Sequence, residues 1–104
     1  MSVRLIAALE VRLPLMGRFI ETVSVMRQIL AGGGWTLVAG YNLRSGLAGT
    51  VINIWEMADF NQVDAGFAAL AADPRWPAIS ASLAECVIRE TVQFADPLDY
   101  PPPA

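Results

Sequence analysis

The spacing of apolar side chains changes along the chain, and each period predicts one element. Residues 3 to 12 alternate between an apolar and a more polar side, which predicts a strand with one strongly apolar face. After Pro14 the spacing becomes helical. The apolar stripe of this predicted helix consists of Leu15, Phe19, Val23, Met26 and Leu30. Three consecutive glycines, at positions 32 to 34, end the helix.

The middle of the chain predicts a β-hairpin followed by a second helix. Residues 35 to 44 and 49 to 57 are rich in aromatic and β-branched side chains, and a turn-like segment joins them. Asp59 and Gln62 have the spacing of a capping box. Apolar residues then recur at helical spacing as far as about Ala72, which predicts a helix there.

The last elements complete a recognisable order. The dipeptide Asp73-Pro74 ends the second helix and begins a short third one, which is expected to bury Trp76, Ile79 and Leu83. Residues 87 to 95 predict the final strand. The order β-α-β-β-α-β predicts an α+β fold of the ferredoxin-like type, with a four-stranded antiparallel sheet and both main helices on one face.

The two faces of the predicted sheet are expected to differ in what they contact. The face toward the helices is expected to carry Val3, Leu5, Leu9, Ile52, Ile54, Ile88 and Val92. The opposite face would carry Ile6, Ala8, Val51, Asn53, Trp55, Met57, Arg89 and Thr91. Because a sheet face in contact with water would be mostly polar, we expect a second copy to cover this one and form a dimeric α/β barrel. A cavity between sheet and helices would be a small-molecule pocket.

Composition supports self-association and argues against some partners. The chain has 104 residues, of which 55% are hydrophobic and 16% charged, and its mean hydropathy is +0.45. Residues 1 to 96 fit one domain, which is too small to hide so much apolar surface in a monomer. The net charge is −3 and the basic residues are seven scattered arginines, so we expect no nucleic-acid or membrane partner. The apolar run from Leu5 to Leu9 is too short for a signal or a membrane span, and we expect a cytoplasmic protein.

The absence of histidine restricts the chemistry. With no histidine, the chain has neither a Ser-His-Asp nor a Cys-His catalytic site, and no histidine-bound zinc, iron or haem. The single cysteine, Cys86, forms no internal disulfide. We expect Cys86 to be a buried, inert thiol. We also expect no metal and no cofactor.

Four uncharged residues are candidates for lining a ligand site. Tyr41 and Trp55 are either core and dimer-interface packing or the walls of a pocket. Asn53 lies among large apolar side chains, where a carboxamide without hydrogen bonds costs about 1 to 3 kcal/mol. It therefore either orients a ligand or serves the core. Trp76 either packs the short helix onto the sheet or contacts a ligand.

Glu10 and Arg89 are the charged candidates. Both are expected on the barrel face of two neighbouring strands. They form either a salt bridge at the barrel mouth or a catalytic pair, in which Glu10 is a general base and Arg89 stabilises an anionic intermediate. Together with the uncharged candidates they predict a pocket for a mostly apolar ligand with one polar or anionic end.

Three segments resemble a known family. The segments are residues 38 to 41, residues 51 to 55, and the run from 68 to 76 that ends in Asp73-Pro74-Arg75-Trp76. Together they resemble the NIPSNAP-type domain of the dimeric α/β barrel superfamily, over roughly residues 14 to 96. Asn53 stands where that family often has histidine. The resemblance implies a ferredoxin-like fold, a homodimer and a poorly defined activity.

Two functions are compatible with these features. The first is a homodimer that binds a small apolar or aromatic metabolite without chemistry of its own. The second is a cofactor-free monooxygenase, isomerase or cyclase acting on an aromatic or polyketide-like substrate, since the related antibiotic-biosynthesis monooxygenases use Asn, Trp, Tyr and Arg around a hydrophobic cavity. The proline-rich residues 97 to 104 are expected to form an arm that packs on the partner through Leu98 and Tyr100. A structural role for this arm is a third alternative.

Overall fold

The structure, a computed structural model, describes residues 2 to 103. Its strands are β1 (Val3–Val11), β2 (Thr36–Asn42), β3 (Thr50–Met57) and β4 (Val87–Ala95). Its helices are α1 (Met16–Gly32), preceded by a 3-10 turn (Leu13–Leu15), then α2 (Asn61–Ala72) and α3 (Trp76–Cys86). The observed elements therefore match the predicted order, including the short third helix.

All strand pairs are antiparallel, and the sheet has the order β2-β3-β1-β4. The three helices pack on one face, which we call the helix side, and the other face is the outer face. Along β1, every second residue from Val3 to Val11 is buried. The alternation read from the sequence is thus the burial pattern of the strand, and the ferredoxin-like α+β fold is confirmed.

Two glycines allow α1 and α2 to approach closely. A Cβ on Gly33, at the end of α1, would lie 2.8 Å from the Cα of Gly66 in α2. Gly66 also accommodates the indole of Trp35, whose Nε1 donates a 2.6 Å hydrogen bond to the backbone oxygen of Gln62. Trp35 in turn makes an edge-on contact with Phe67 at a ring distance of 5.2 Å. This contact fixes α2 against the end of α1.

A buried polar chain joins α1 to α3. The hydroxyl groups of Thr22 and Ser82 are 2.7 Å apart, and Thr22 also donates to the backbone oxygen of Arg18. The Ser82 hydroxyl lies 3.9 Å from the sulfur of Cys86. Cys86 is completely buried, as expected from the sequence. The two hydroxyls satisfy each other inside the protein, so this cluster is structural.

The sequence-based assignment of the β3 faces was wrong. Leu5 pairs with Trp55 and Ala7 pairs with Asn53, so both β3 residues lie on the helix side. Ile52 and Ile54 lie on the outer face, opposite Ala8 and Ile6. The physical reason is that β3 is apolar on both sides, so its own alternation does not say which side is inside. The pairing register with β1 decides it.

The predicted sides of β4 fit the register, but the expected burial does not. Val92 pairs with Ala7 on the helix side and is still about half exposed. Ile88 lies at an irregularity, where the pairing with β1 shifts between Glu10 and Val11, and it too is about half exposed. Because β4 is an edge strand of this sheet, the helices cover it only in part. Among residues 2 to 103, no helix is both long and apolar enough to cross a membrane.

Candidate ligand-binding site

Two cavities lie on the helix side, between the sheet and α1. The first, which we call the β2-side cavity, has a volume of about 270 Å³. It is lined mainly by apolar residues of α1 and by residues of β2 and β3, among them Met16, Phe19, Val23, Leu37, Gly40 and Asn53. Tyr41 also borders it.

The second cavity, which we call the β4-side cavity, has a volume of about 360 Å³. Its walls come from α1, α3 and three strands, and include Ala7, Met26, Trp55, Leu83, Val87 and Glu90. The small side chain of Ala7 lies on β1, between Asn53 on β3 and Val92 on β4. Both volumes are at or near the lower end of the range for small-molecule sites.

Asn53 lies where the two cavities meet. It lines both of them, together with Phe19 and Val23 of α1. Only 7% of Asn53 is exposed. None of the side-chain hydrogen bonds found within residues 2 to 103 involves its carboxamide. A buried carboxamide that faces open space is therefore available to a ligand, with two N–H donors and one oxygen acceptor.

Gly40 leaves room for the Asn53 oxygen. A Cβ on Gly40 would lie 3.2 Å from Oδ1 of Asn53, which is tighter than ordinary carbon–oxygen contact. Gly40 is the direct partner of Asn53 on β2, and both line the β2-side cavity. The missing side chain thus keeps the carboxamide uncovered on this side.

Trp55 combines the two roles that the sequence left open. Its ring lies 5.9 Å from that of Trp35 in an edge-on arrangement, and only 4% of the residue is exposed. It also lines the β4-side cavity. Trp55 is therefore a core residue that forms one wall of the cavity.

Glu90 is a cavity residue that the sequence-based prediction did not include. It is the direct partner of Leu9, which places it on the helix side, at the β4-side cavity. Partial burial raises the pKa of its carboxyl above the ordinary value. Arg89 is the one other charged residue that lines this cavity, and the α1 and α3 residues there are all apolar. Alternation with Ile88 and Val92 already placed Glu90 on their side, so the signal was present in the sequence.

We expect Glu90→Gln to change how stability depends on pH. Because the folded state raises the pKa of Glu90, folding favours the protonated carboxyl, and the free energy of unfolding of the wild type falls as pH rises from the ordinary carboxyl pKa through the raised one. Glutamine carries no such charge. The variant should match the wild type below this window and gain relative stability above it, as measured by urea denaturation across pH. A constant difference at all pH values would contradict the assignment.

The predicted pair Glu10 and Arg89 forms, but on the outer face of the sheet and not beside Asn53. Nε of Arg89 lies 3.4 Å from Oε2 of Glu10, and the two are direct partners on the outer face. At the other end of that face, Nη2 of Arg4 lies 2.6 Å from Oε2 of Glu56. Asn53 lies on the opposite side of the sheet, so the structure does not bring Glu10 together with it.

Tyr41 and Trp76 take different places. Tyr41 borders the β2-side cavity, but its pairing with Ile52 puts its side chain on the outer face, where it is 57% exposed. Trp76 is partly buried at the start of α3, where it packs against the core, and it lines neither of the two cavities. Within residues 2 to 103, no three Cys, Asp or Glu side chains are grouped as a metal site would require.

Comparison with models of protein families shows which family the chain belongs to. The family model named NIPSNAP matches residues 6 to 102. The chain belongs to the NIPSNAP family. The resemblance seen in its sequence is thereby confirmed. No curated protein matches the chain.

Solved NIPSNAP structures share the whole fold at low sequence identity. An uncharacterised NIPSNAP domain protein from Burkholderia xenovorans is 19% identical, with a TM-score of 0.77 over 99% of this chain and 100% of that one. A NIPSNAP family protein from Agrobacterium tumefaciens is also 19% identical, with a TM-score of 0.79 over 96% of this chain and 89% of that one. At this low sequence identity, the two matches show only that the fold is shared.

The fold extends beyond the NIPSNAP family. A Caulobacter crescentus protein, provisionally assigned as an antibiotic biosynthesis monooxygenase, is 10% identical and has a TM-score of 0.74. The match covers 94% of this chain and 91% of that one. The NIPSNAP chain therefore has the same ferredoxin-like architecture as this neighbour.

The Asp-Pro-Arg-Trp segment of this NIPSNAP chain forms a local turn, and α3 begins only at Trp76, with no side-chain cap from Asp73. Oδ1 of Asp73 accepts hydrogen bonds from the backbone and the Nε of Arg75, at 2.8 and 2.9 Å. Hydrogen bonding from the Arg75 side chain lowers the pKa of the Asp73 carboxyl and raises that of Arg75. The segment lies between α2 and α3, away from both cavities, and its visible role is to shape that connection.

Proposed function

We propose that this NIPSNAP protein is a homodimer that binds a small, mostly apolar or aromatic metabolite in the helix-side cavities. The observation that carries the proposal is Asn53: the residue is only 7% exposed, its carboxamide has no hydrogen-bond partner among the described residues, and it lines both cavities. The amide atoms face the cavity space, so a ligand there can hydrogen-bond to them without displacing a protein partner.

The rest of the lining fits an apolar ligand. Phe19 and Val23 form the α1 side of both cavities, and Trp55 and Met26 form further walls of the β4-side cavity. A site with many apolar walls and few polar groups is the usual make-up of a small-molecule pocket. Aromatic walls also suit a flat, aromatic ligand.

The outer face of the sheet supports the dimer. Its centre is apolar, formed by Ile6, Ala8, Ala39, Ile52 and Ile54. The ion pairs of Arg4 with Glu56 and of Glu10 with Arg89 lie at its two ends. An apolar centre with charged ends is typical of a surface that a second copy covers symmetrically. Covering it would produce the dimeric α/β barrel.

The C-terminal arm is proposed to contribute to the same dimer. Leu98 and Tyr100 are 72% and 79% exposed in the single chain. Removing residues 97 to 104 is expected to weaken the dimer about tenfold, because two large apolar groups per arm lose their contact with the partner. Sedimentation equilibrium of the truncated and full-length chains measures this. An unchanged dissociation constant would mean that the arm packs on no partner.

A cofactor-free enzyme is the second candidate. Glu90 favours it, because a carboxyl with a raised pKa beside an apolar cavity suits proton transfer. The architecture is also that of the Caulobacter crescentus neighbour, provisionally assigned as an antibiotic biosynthesis monooxygenase. Oxygen consumption in the presence of a bound phenol distinguishes the monooxygenase from the simple binder.

A binding screen tests the proposed function. Aromatic acids, phenols and quinones are titrated against the protein, and tryptophan fluorescence is followed, because Trp55 forms part of the cavity wall. For a compound that binds, Asn53→Ala should weaken binding about fivefold or more through the lost hydrogen bond. Asn61→Ala, at the exposed start of α2, is the matched control and should bind like the wild type.

Two results would count against the pocket. If no compound in any class changes the fluorescence, the cavities do not bind aromatic metabolites. If Asn53→Ala is folded and dimeric but binds as tightly as the wild type, the carboxamide does not contact the ligand. Circular dichroism and sedimentation of each variant establish that it is folded.

A further inference from the structure

We propose that Glu90 and Asn53 together select a neutral aromatic or enolic ligand that carries a hydroxyl group at one end and a carbonyl group at the other. The hydroxyl donates a hydrogen bond to the Glu90 carboxylate, and the carbonyl accepts one from the Asn53 amide. This inference rests on the proposed ligand-binding function and names the class of ligand for the β4-side cavity.

The register of the sheet sets the separation of the two groups. Asn53 pairs with Ala7, and Glu90 pairs with Leu9, which is two residues further along β1. The two side chains therefore lie diagonally across β1 on the helix side, with backbones roughly 12 Å apart. Ala7 and Leu9 form the floor of the cavity between them. This separation matches a ligand of about two fused rings with a polar group at each end.

The charges at the cavity favour a neutral ligand over an anionic one. Arg89 lines the β4-side cavity, but its guanidinium is 3.4 Å from Glu10 as its direct partner on the outer face. Glu90 makes no ion pair within the described residues. A carboxylate ligand would place a second negative charge near Glu90, and the one cation among the described lining residues, Arg89, is already paired with Glu10, whereas a hydroxyl group supplies a donor for the carboxylate.

The surroundings of Glu90 affect the pKa of its carboxyl. The other lining residues contributed by α1 and α3 are Phe19, Val23, Met26, Leu83 and Ala84, all apolar. Glu90 is itself an exposed residue, and its partial burial beside them raises the pKa of the carboxyl. Asn53 supplies the complementary donor, because none of its amide hydrogens is used within the described chain.

Four related compounds test the selection by isothermal titration calorimetry at neutral pH. A hydroxytetralone carries a phenolic hydroxyl and a ketone at opposite ends of two fused rings. Methoxytetralone lacks the hydroxyl donor, hydroxytetralin lacks the ketone, and a tetralone carboxylic acid replaces the hydroxyl by an anion. The wild type should bind hydroxytetralone about tenfold more tightly than either neutral analogue, and the acid most weakly.

Glu90→Gln should reverse part of this ranking. It is expected to weaken hydroxytetralone binding about fivefold and to strengthen binding of the carboxylic acid, because the repulsion between two anions is removed. A general loss of structure would weaken the binding of both compounds, so it cannot explain opposite changes in the two affinities. Glu21→Gln, on the exposed part of α1 and outside both cavities, should leave all four affinities unchanged.

The outcomes separate this inference from the function on which it rests. If hydroxytetralone and methoxytetralone bind equally well, or if Glu90→Gln shifts neither the phenol nor the acid, the role of Glu90 is overturned while the apolar pocket stands. If none of the four compounds binds to the wild type, and the phenols and quinones of the wider screen also fail, the proposed function falls together with the inference.

Discussion

Gly66→Ala is expected to lower the free energy of unfolding by about 2 to 3 kcal/mol, the cost of overfilling a packed core. A Cβ at this position would overlap the Nε1 and Cε2 atoms of the Trp35 indole. The indole would have to move away, which would break its 2.6 Å hydrogen bond to Gln62 and its contacts with Trp55 and Phe67. Urea denaturation measures the loss, and thermal melting should fall by about 10 °C or more.

Gly17→Ala is the matched control for this substitution. Gly17 also lies in a helix, but nothing stands within 4 Å of its added Cβ. Alanine has a higher helix propensity than glycine, so this variant should be as stable as the wild type or up to about 1 kcal/mol more stable. Equal effects of the two substitutions would contradict the close packing of Trp35 against α2.

Ile54→Glu is expected to convert the proposed dimer into a folded monomer. Ile54 lies on the outer face of β3, with Ile6 and Ala39 as its direct partners on the two neighbouring strands. In a symmetric dimer the substitution buries two unpaired carboxylates, at several kcal/mol each. The dissociation constant should therefore rise about a hundredfold or more. Sedimentation should change from twice 11.2 kDa toward 11.2 kDa.

Ile20→Glu places the same charge on a different surface. Ile20 lies on α1 and is 58% exposed, so the new carboxylate stays in water and the dimer should persist. If the wild type sediments as a monomer at micromolar concentration, the proposed dimer is wrong. Dissociation by both substitutions would point to an interface that includes α1.

The order of elements could be predicted from the sequence because the spacing of apolar residues differs clearly between the strands and the helices. The alternation of β1, the helical stripe of α1 and the Asp59 and Gln62 pattern all correspond to observed structure. Oδ1 of Asp59 accepts from the backbone of Gln62, and Oε1 of Gln62 accepts from the backbone of Ala58. These are local interactions, which a short segment encodes by itself.

The position of the candidate site depended on information that no single segment carries. In β3, Val51 and Trp55 alternate with Ile52 and Ile54, so both faces are equally apolar and the pattern fits either orientation. The pairing of β3 with β1 decides the orientation, and this moved Asn53 from the dimer face to the helix-side cavities. The sequence therefore assigned Asn53 and Trp55 to the wrong face of the sheet.

The central claim is that the ligand site surrounds Asn53 on the helix side of the sheet. Nuclear magnetic resonance of labelled protein during titration with hydroxytetralone tests it directly, because Asn53 and its neighbours Ile52 and Ile54 lie on opposite faces of one strand. We predict large shifts of the Asn53 carboxamide and the Trp55 indole, with the methyl groups of Ile52 and Ile54 little changed. Shifts concentrated on the two isoleucines, with the Asn53 carboxamide unmoved, would contradict the account.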